Sequence, residues 1–350
     1  LVATVDWSYQ LLDEQKRRVF RLVSVFPGPF TLEAAEAVAG VSARSAVLQL
    51  VDCSLLSPPR ADPDGPARYV MLETLRAYGA GLLAGAGEDD AAAAALARYA
   101  LGVAEQATAG LQTSTGEVAA ARWLDAEDAT MRQVLAWGIQ HDPAVALRLA
   151  AALAPWWYLR GLAVGQYPVL REAVRCTAAG SDGWRDAQFW LGWTAGNSAD
   201  VAGALGHLTV LRDAIKDRPP SRTLAGALAG RSFALSNLGR IPEAVEDARR
   251  SLAVAREVSD PGAEALAFVA LSLADWAADN LGGAVQLAWQ AEQIAADIPG
   301  WIARTRSSVL TAVLTAAGTS PLLSAYARRG CPGPGTQATG ISWPSCLRGW

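Results

Sequence analysis

Tyr69-Val70-Met71-Leu72-Glu73-Thr74-Leu75-Arg76-Ala77-Tyr78 passes from a short apolar run to helical spacing within a few positions. Tyr69, Val70 and Met71 match a second apolar run, Leu55-Leu56, and the two are joined by Pro-Pro-Arg-Ala-Asp-Pro-Asp-Gly-Pro. Proline has no N–H to give to a sheet ladder, so the link is expected as a loop and the runs as a small hairpin, a wing. Leu72, Leu75, Gly79, Leu82 and Leu83 then recur at helical intervals, closing the module with a helix that leads directly into the next segment of the chain.

Upstream, Val19, Leu22, Val23 and Phe26 fall at i, i+3, i+4 and i+7, one apolar stripe on a helix that starts near Asp13 and stops at Pro27-Gly28-Pro29. Thr31 is placed to cap a second helix, with Glu33 in its first turn and Gly40 after its end. Ser42 is placed to cap a third, running through Val47, Leu48 and Val51. Short helices, a wing and a closing helix make one module over residues 1–87.

Downstream, a Gly- and acid-rich joint at residues 85–90 opens a linking region, residues 88–142. It holds an Ala-rich helix over 91–109 with Leu96, Tyr99 and Val103 on one face, and another over 123–137, with His141-Asp142-Pro143 marking the end. From 143 to 317 the chain resembles itself at a period of about 40 residues. Ala204, Ala244 and Ala284 coincide, as do Trp193, Phe233 and Leu273; so do Ala187, Ala227 and Ala267, and Leu208, Ala248 and Ala288. A turn position carries Arg160, Asp200, Arg240 and Asn280 in register, which adds a divergent unit from Pro143. Small residues at fixed points let two helices approach, and stacked pairs bury what one pair cannot. The expected fold class is therefore all-α, a winged-helix module followed by a helical-repeat solenoid. Residues 318–350 lose the pattern and are rich in Pro, Gly and Ser, which reads as a disordered tail or the product of a shifted reading frame.

Apolar residues make up 51% of the chain and charged residues 18%, with Ala dominating the centre, which favours helices over sheets. The net charge of -4 supplies no general attraction for phosphates, so DNA is not expected as a direct partner. Cys53, Cys176, Cys331 and Cys346 form no CxxC pair and only His141 and His207 could join them, so no metal site is read. No charged-then-apolar leader follows Leu1, which favours reduced thiols and a cytoplasmic location, and Leu1 in place of Met points to a fragment or an alternative start codon. Residues 149–159 are apolar but bracketed by Arg148 and Arg160, far short of the roughly 20 residues of a membrane span. Residues 307–327 are long enough and uncharged, yet Ser, Thr and Pro321 dilute them, so no membrane partner is expected.

No Gly-x-x-x-x-Gly-Lys-Ser/Thr occurs, and the glycines of 330–335 have no lysine after them, so no nucleotide cofactor is read and the chain is not expected to be an enzyme. Asp89-Asp90 and Glu127-Asp128 are paired carboxylates of the kind that do acid–base work when a pocket separates their pKa values; placed at helix starts, they are expected as solvated caps. His141 and His207 have no serine elbow or nearby cysteine to form a triad. The third helix, which a DNA-reading winged helix lays in the major groove, offers only Arg44 and Gln49 to base edges. Lys16-Arg17-Arg18 with Arg21 is expected as a solvated face of the first helix. Trp156, Trp157 and Tyr158 cannot all point one way from a helix. They either pack between the winged module and the first repeat or form a contact surface for a partner protein or small inducer, and they are the candidate partner-binding residues.

Trp7-Ser8-Tyr9-x-Leu11-Leu12, Phe20-Arg21-Leu22-x-Ser24-Val25-Phe26, Phe30 to Glu36, Leu50-Val51-Asp52-x-Ser54-Leu55 and Met71 to Arg76 occur in the order found in the C-terminal half of actinobacterial STAND (NB-ARC-type) transcriptional regulators of the LuxR and SARP types. Trp123-Leu124 and residues 127–137 continue the resemblance, and Asn237-Leu238-Gly239-Arg240-Ile241-Pro242-Glu243-Ala244 resembles the turn and second helix of a tetratricopeptide repeat. The resemblance implies a winged helix coupled to repeats that sense an inducer or protein partner, with an NTPase domain preceding them or supplied by another chain, and a DNA-binding domain elsewhere. Relatives of the NB-ARC class often carry Met-His-Asp where this chain has Met71-Leu72-Glu73; Leu72 cannot donate a hydrogen bond to nucleotide. The resulting expectation is a non-enzymatic regulatory portion of such a regulator. The alternatives are a transcription factor reading DNA through its winged helix and a non-functional fragment lacking its NTPase domain.

Overall fold

The computed structural model describes residues 2–318 apart from 61–64, 199 and 295. The tail read over 318–350, with Cys331 and Cys346, lies outside the described residues except for Gly318. Among the described residues the chain forms sixteen helices and one two-stranded sheet. The described residues divide into two compact units, one up to Gln106 with Trp123–Leu149, the other Ala107–Arg122 with those from Ala150 onward. The joint near residue 88 lies inside the first of these. No single helix among the described residues is long and apolar enough to cross a membrane.

In the first unit, α1 (Val2–Gln10) precedes α2 (Glu14–Val23), whose N-cap Asp13 accepts the Lys16 backbone N–H at 2.9 Å. Thr31 caps α3 (Leu32–Ala39) through a 3.1 Å bond from Ala34 N–H, and Gly40 at φ +90° ends it. Each such side-chain cap is worth about 1 kcal/mol. Ser42 departs from expectation: it lies in the helical region before α4 (Ala43–Asp52) and makes no side-chain cap bond. Its carbonyl instead accepts Ser45 Oγ at 3.1 Å.

The wing also shifts. β1 (Ser57–Arg60) runs antiparallel to β2 (Arg68–Val70), with Ser57 opposite Val70, Arg60 opposite Arg68 and an irregularity between. The strand thus takes in Pro58 and Pro59, which the sequence assigns to the loop. A two-stranded sheet is all edge, so a proline nitrogen can face outward without removing a ladder bond. Leu55 and Leu56 are buried just before it. Phe30 and Tyr69 exchange backbone bonds at 3.0 and 2.8 Å, fastening the hairpin to the segment after α2. α5 (Glu73–Gly85) then begins one residue after Leu72, which is 56% exposed and outside the apolar stripe that the spacing predicts. That stripe is carried by Leu75, Gly79 and Leu83, and a Cβ on Gly79 would lie 2.8 Å from Ser24 Cβ, so α2 and α5 meet where there is no room for a side chain.

The cations of α2 are all paired, although Arg18 stays 60% exposed on the solvated face. Arg18 and Arg21 both bind Glu88, at 3.1 and 3.2 Å, and Arg21 donates to the Tyr9 hydroxyl at 3.0 Å. Arg17 donates to the Tyr9 and Gln10 carbonyls, and Lys16 pairs with Asp13. Glu88 therefore pins the Gly-rich joint between α5 and α6 (Asp89–Gly110) to α2. α7 (Glu117–His141) is longer than the helix read over 123–137. Glu127 consequently sits inside the helix, not at its start.

The second unit is built from helix pairs. α10 (Asp182–Asn197) and α11 (Val201–Ile215), α12 (Arg222–Asn237) and α13 (Ile241–Glu257), and α14 (Pro261–Ala277) and α15 (Leu281–Ile294) keep the 40-residue register, and α16 (Gly300–Ala316) packs on α14 and α15. The turns repeat bond for bond. Asp200, Arg240 and Asn280 each donate their backbone N–H to the carbonyl five residues back, at 3.0, 2.9 and 2.9 Å. Gly239 at φ +72° and Asp279 at φ +63° supply the left-handed residue these turns need. Between α8 (Pro143–Leu159) and α9 (Ala163–Arg175) the same bond is made by Leu162, to Trp157 at 2.8 Å. The turn position assigned to Arg160 is thus displaced by two residues.

Small residues do what the repeat implies. A Cβ on Gly192 would overlap Leu208 of α11, so the pair can close only with glycine there. Ser251 donates to the Ala225 carbonyl at 2.8 Å and Ser272 to the Ala284 carbonyl at 2.7 Å, both fully buried, which removes the penalty of placing hydroxyls in the core. Arg231, 7% exposed, is held by Asp247 at 2.8 Å and by Thr209 at 2.6 Å.

Candidate ligand cavity in the repeat solenoid

The first helices of successive repeats, α10, α12, α14 and α16, pack side by side. Where the side chains at repeat-equivalent positions project from that layer, a small cavity of about 80 Å³ opens. Its apolar wall is Trp193, Phe233 and Leu273, which occupy one position of the 40-residue period, together with Leu208 and Val309. The Trp193 and Phe233 rings meet edge to face with centroids 5.2 Å apart. Gly196, Gly230, Ala234 and Ala312 leave the space that larger residues would fill.

The polar groups come from two sources. Asn197 and Asn237, again one period apart, each donate Nδ2 to the carbonyl four residues back, Trp193 at 2.7 Å and Phe233 at 2.8 Å. Tyr158 of α8 and Thr305 of α16 also reach the cavity, with their hydroxyls 3.3 Å apart, and Ser308 lies one turn beyond Thr305. Burial pushes the Tyr158 phenol above its ordinary range, so it stays protonated at neutral pH. Among the described residues, no Asp, Glu, Lys, Arg or His lines the cavity.

All three predicted aromatics are buried, Trp156 at 2%, Trp157 at 4% and Tyr158 at 6% exposed. Tyr158 lines the cavity; Trp156 and Trp157 do not. The sequence reading missed Asn197 and Asn237 as site residues, although they stand one 40-residue period apart. Thr305 and Ser308 carried no such signal.

Two arrangements bear on other chemistry. Glu127, 1% exposed, accepts Arg68 Nη2 of β2 at 2.9 Å and the Tyr99 hydroxyl at 3.3 Å. Burial pushes its carboxyl up while Arg68 pulls it down, a structural anchor for the wing in place of the solvated cap expected from sequence. On α4, the exposed face presents Arg44, Ser45, Leu48 and Gln49, and Arg44 is clamped by both carboxylate oxygens of Glu36 at 2.9 and 3.1 Å. Its cation is already matched on the surface where a phosphate or guanine would have to compete. Cys53 and Cys176 are free thiols, and among the described residues no His, Cys, Asp and Glu cluster fits a metal.

The sequence profile of the winged helix-turn-helix domain family matches residues 12–84, the span of α2 through α5. Over 281 residues the chain is 30% identical to proteins named as HTH-type transcriptional regulators of Mycobacterium bovis and Mycobacterium tuberculosis. The alignment takes in 77% of this chain but 27% of theirs, so the chain spans about a quarter of the length of these curated relatives. Among solved structures, a Signal Transduction ATPase with Numerous Domains (STAND) protein with a tetratricopeptide repeat sensor from Pyrococcus horikoshii overlaps 92% of this chain and 50% of its own, at 14% identity and a TM-score of 0.48. The chain thus carries a winged helix-turn-helix domain and is similar in sequence to transcriptional regulators.

Proposed function

We propose that this chain is the non-enzymatic regulatory portion of a STAND-type transcriptional regulator of the LuxR or SARP kind, acting in the cytoplasm. The solenoid binds a small inducer or protein partner, and the winged module relays the solenoid's state to an NTPase domain in the same or another chain. The observation that carries the reading is the cavity, built at repeat-equivalent positions of α10, α12 and α14 and lined at its rim by Tyr158 and Thr305. The similarity to transcriptional regulators supports the regulatory setting. Recognition of DNA by α4 is the second reading, and the Arg44–Glu36 clamp weighs against it.

Replacing Gly196 by Leu at the chromosomal locus tests the proposal. Gly196 lines the cavity, and a Cβ there meets only Ala204 Cβ, at 3.8 Å, so the substitution starts without a clash at the backbone. Transcript profiles that shift as in a deletion strain, at unchanged protein abundance, support a sensor role for the solenoid. Unchanged transcripts contradict it.

A further inference from the structure

Among the three helix pairs that keep the 40-residue register, one position carries a charge in the first pair alone. Asp186 of α10, Gly226 of α12 and Leu266 of α14 stand at that position, and all three line a second cavity, of about 220 Å³, that shares no lining residue with the one beside Tyr158. Gly226 and Leu266 are buried, as stacked first helices require, whereas Asp186 is exposed. Packing therefore does not account for a carboxylate at this place.

Asp186 has no partner of its own. Among the described residues it accepts no hydrogen bond and joins no ion pair, and its charged neighbour Arg185 is taken up by Asp182 and by the Gly180 carbonyl at 2.6 Å. The other charged side chain in the lining, Arg222, is matched by Asp260 at 3.0 Å. The cavity thus presents one uncompensated negative charge. The wall around Asp186 withdraws part of its solvent and raises its carboxyl above the ordinary 3.8, an effect that a cation beside it would reverse.

The rest of the wall is mostly apolar. Phe189 and Trp190 meet edge to face with centroids 5.4 Å apart, and Leu159 and Ile302 line the cavity with them. A Cβ on Gly226 would lie 2.7 Å from Phe189 Cε2, so that ring rests on α12 only because residue 226 has no side chain. A cavity of about 150 Å³ already admits a benzene ring, so about 220 Å³ holds one ring with a short arm.

We infer that this second cavity binds a small organic cation, an ammonium group carried on a single ring or short aliphatic body, with Asp186 as its counter-charge. The site stands apart from the cavity of the sensor reading, so its failure leaves the transcript test of that reading untouched.

The test is a ligand-observed NMR titration of the full chain with three probes of one shape: phenethylamine, a cation; 2-phenylethanol, its neutral isostere; and phenylacetate, an anion. Phenethylamine is expected to bind about fivefold more tightly than 2-phenylethanol, the worth of a partly exposed ion pair, and phenylacetate most weakly. Asp186→Asn should bring phenethylamine down to the level of 2-phenylethanol, whose own binding does not change. Asp186→Lys should reverse the order and favour phenylacetate. Circular dichroism should show both variants with the helix content of the parent chain, because the replaced carboxylate is exposed and unpaired; loss of helix in both would make Asp186 a structural residue and contradict the inference. Equal binding of the three probes, a preference for phenethylamine that survives Asp186→Asn, or no binding by any probe overturns it.

Discussion

Tyr158 on α8 and Thr305 on α16 lie 147 positions apart in sequence, yet their hydroxyls meet at 3.3 Å in the buried rim of the solenoid cavity. A helical array in which each repeat touched only its neighbours would never bring these residues together. The contact ties the C-terminal end of α8 to α16.

Removing the Tyr158 hydroxyl should therefore loosen α16 selectively. Tyr158→Phe is expected to lower the local opening free energy of α16 by about 1 kcal/mol, the net worth of a buried hydrogen bond. Amide hydrogen exchange reads this as faster exchange in Gly300–Ala316 with α12 and α13 unchanged. Equal acceleration across the unit would show that the hydroxyl acts on general packing.

The wing depends on a buried charge pair. Arg68→Met leaves the Glu127 carboxylate buried without its cation and should destabilise the first unit by about 3 kcal/mol near neutral pH. Because burial holds the Glu127 carboxyl above its ordinary 4.5, the native state takes up a proton before the unfolded chain does as pH falls. Loss of Arg68 raises that value further, so part of the lost stability should return on acidification toward pH 4.5. Denaturant titrations at several pH values measure this, and a deficit that does not change with pH would contradict it.

His207 gives the opposite sign. Its Nδ1 meets Gln188 Oε1 at 2.8 Å and its Nε2 meets the Tyr167 hydroxyl at 3.3 Å; Asp200 and Arg171 are the nearby charges. Burial lowers its pKa below 6.5, so the unfolded chain protonates first and this residue's contribution to stability is lost as pH drops below 6.5. His207→Gln should flatten the pH dependence of the solenoid's thermal midpoint between about pH 7 and 5. An unchanged slope would rule this residue out as its source.

The joint at Glu88 should also be breakable. Glu88→Ala removes the carboxylate that Arg18 and Arg21 share and is expected to increase proteolytic cleavage between α5 and α6, with little change in total helix content. Cleavage elsewhere, with the joint still protected, would show that the Gly-rich segment is held by packing alone.

Much of this fold could be read from the sequence because its signals are local. Asp13, Thr31 and Gly40 mark helix ends through groups within a turn of themselves, and the 40-residue period survives because each pair faces the same packing problem. Signals that depend on distant partners were not legible. Glu127 reads as a solvated acid until Arg68 and Tyr99 come to it, and Pro58 and Pro59 read as loop until the sheet proves to have only two strands. The cavity divides the same way: Trp193, Phe233, Asn197 and Asn237 stand in register, whereas Tyr158 and Thr305 owe their place to the approach of α8 and α16.

The proposed division of labour between a recognising solenoid and a relaying winged module is tested most directly by a salt titration of the full chain against duplex DNA. No binding is predicted even at low salt, because Arg44 is matched by Glu36 and the chain is acidic overall. Binding that weakens steeply with salt and is lost in Arg44→Ala would contradict that division and make the winged helix a DNA reader.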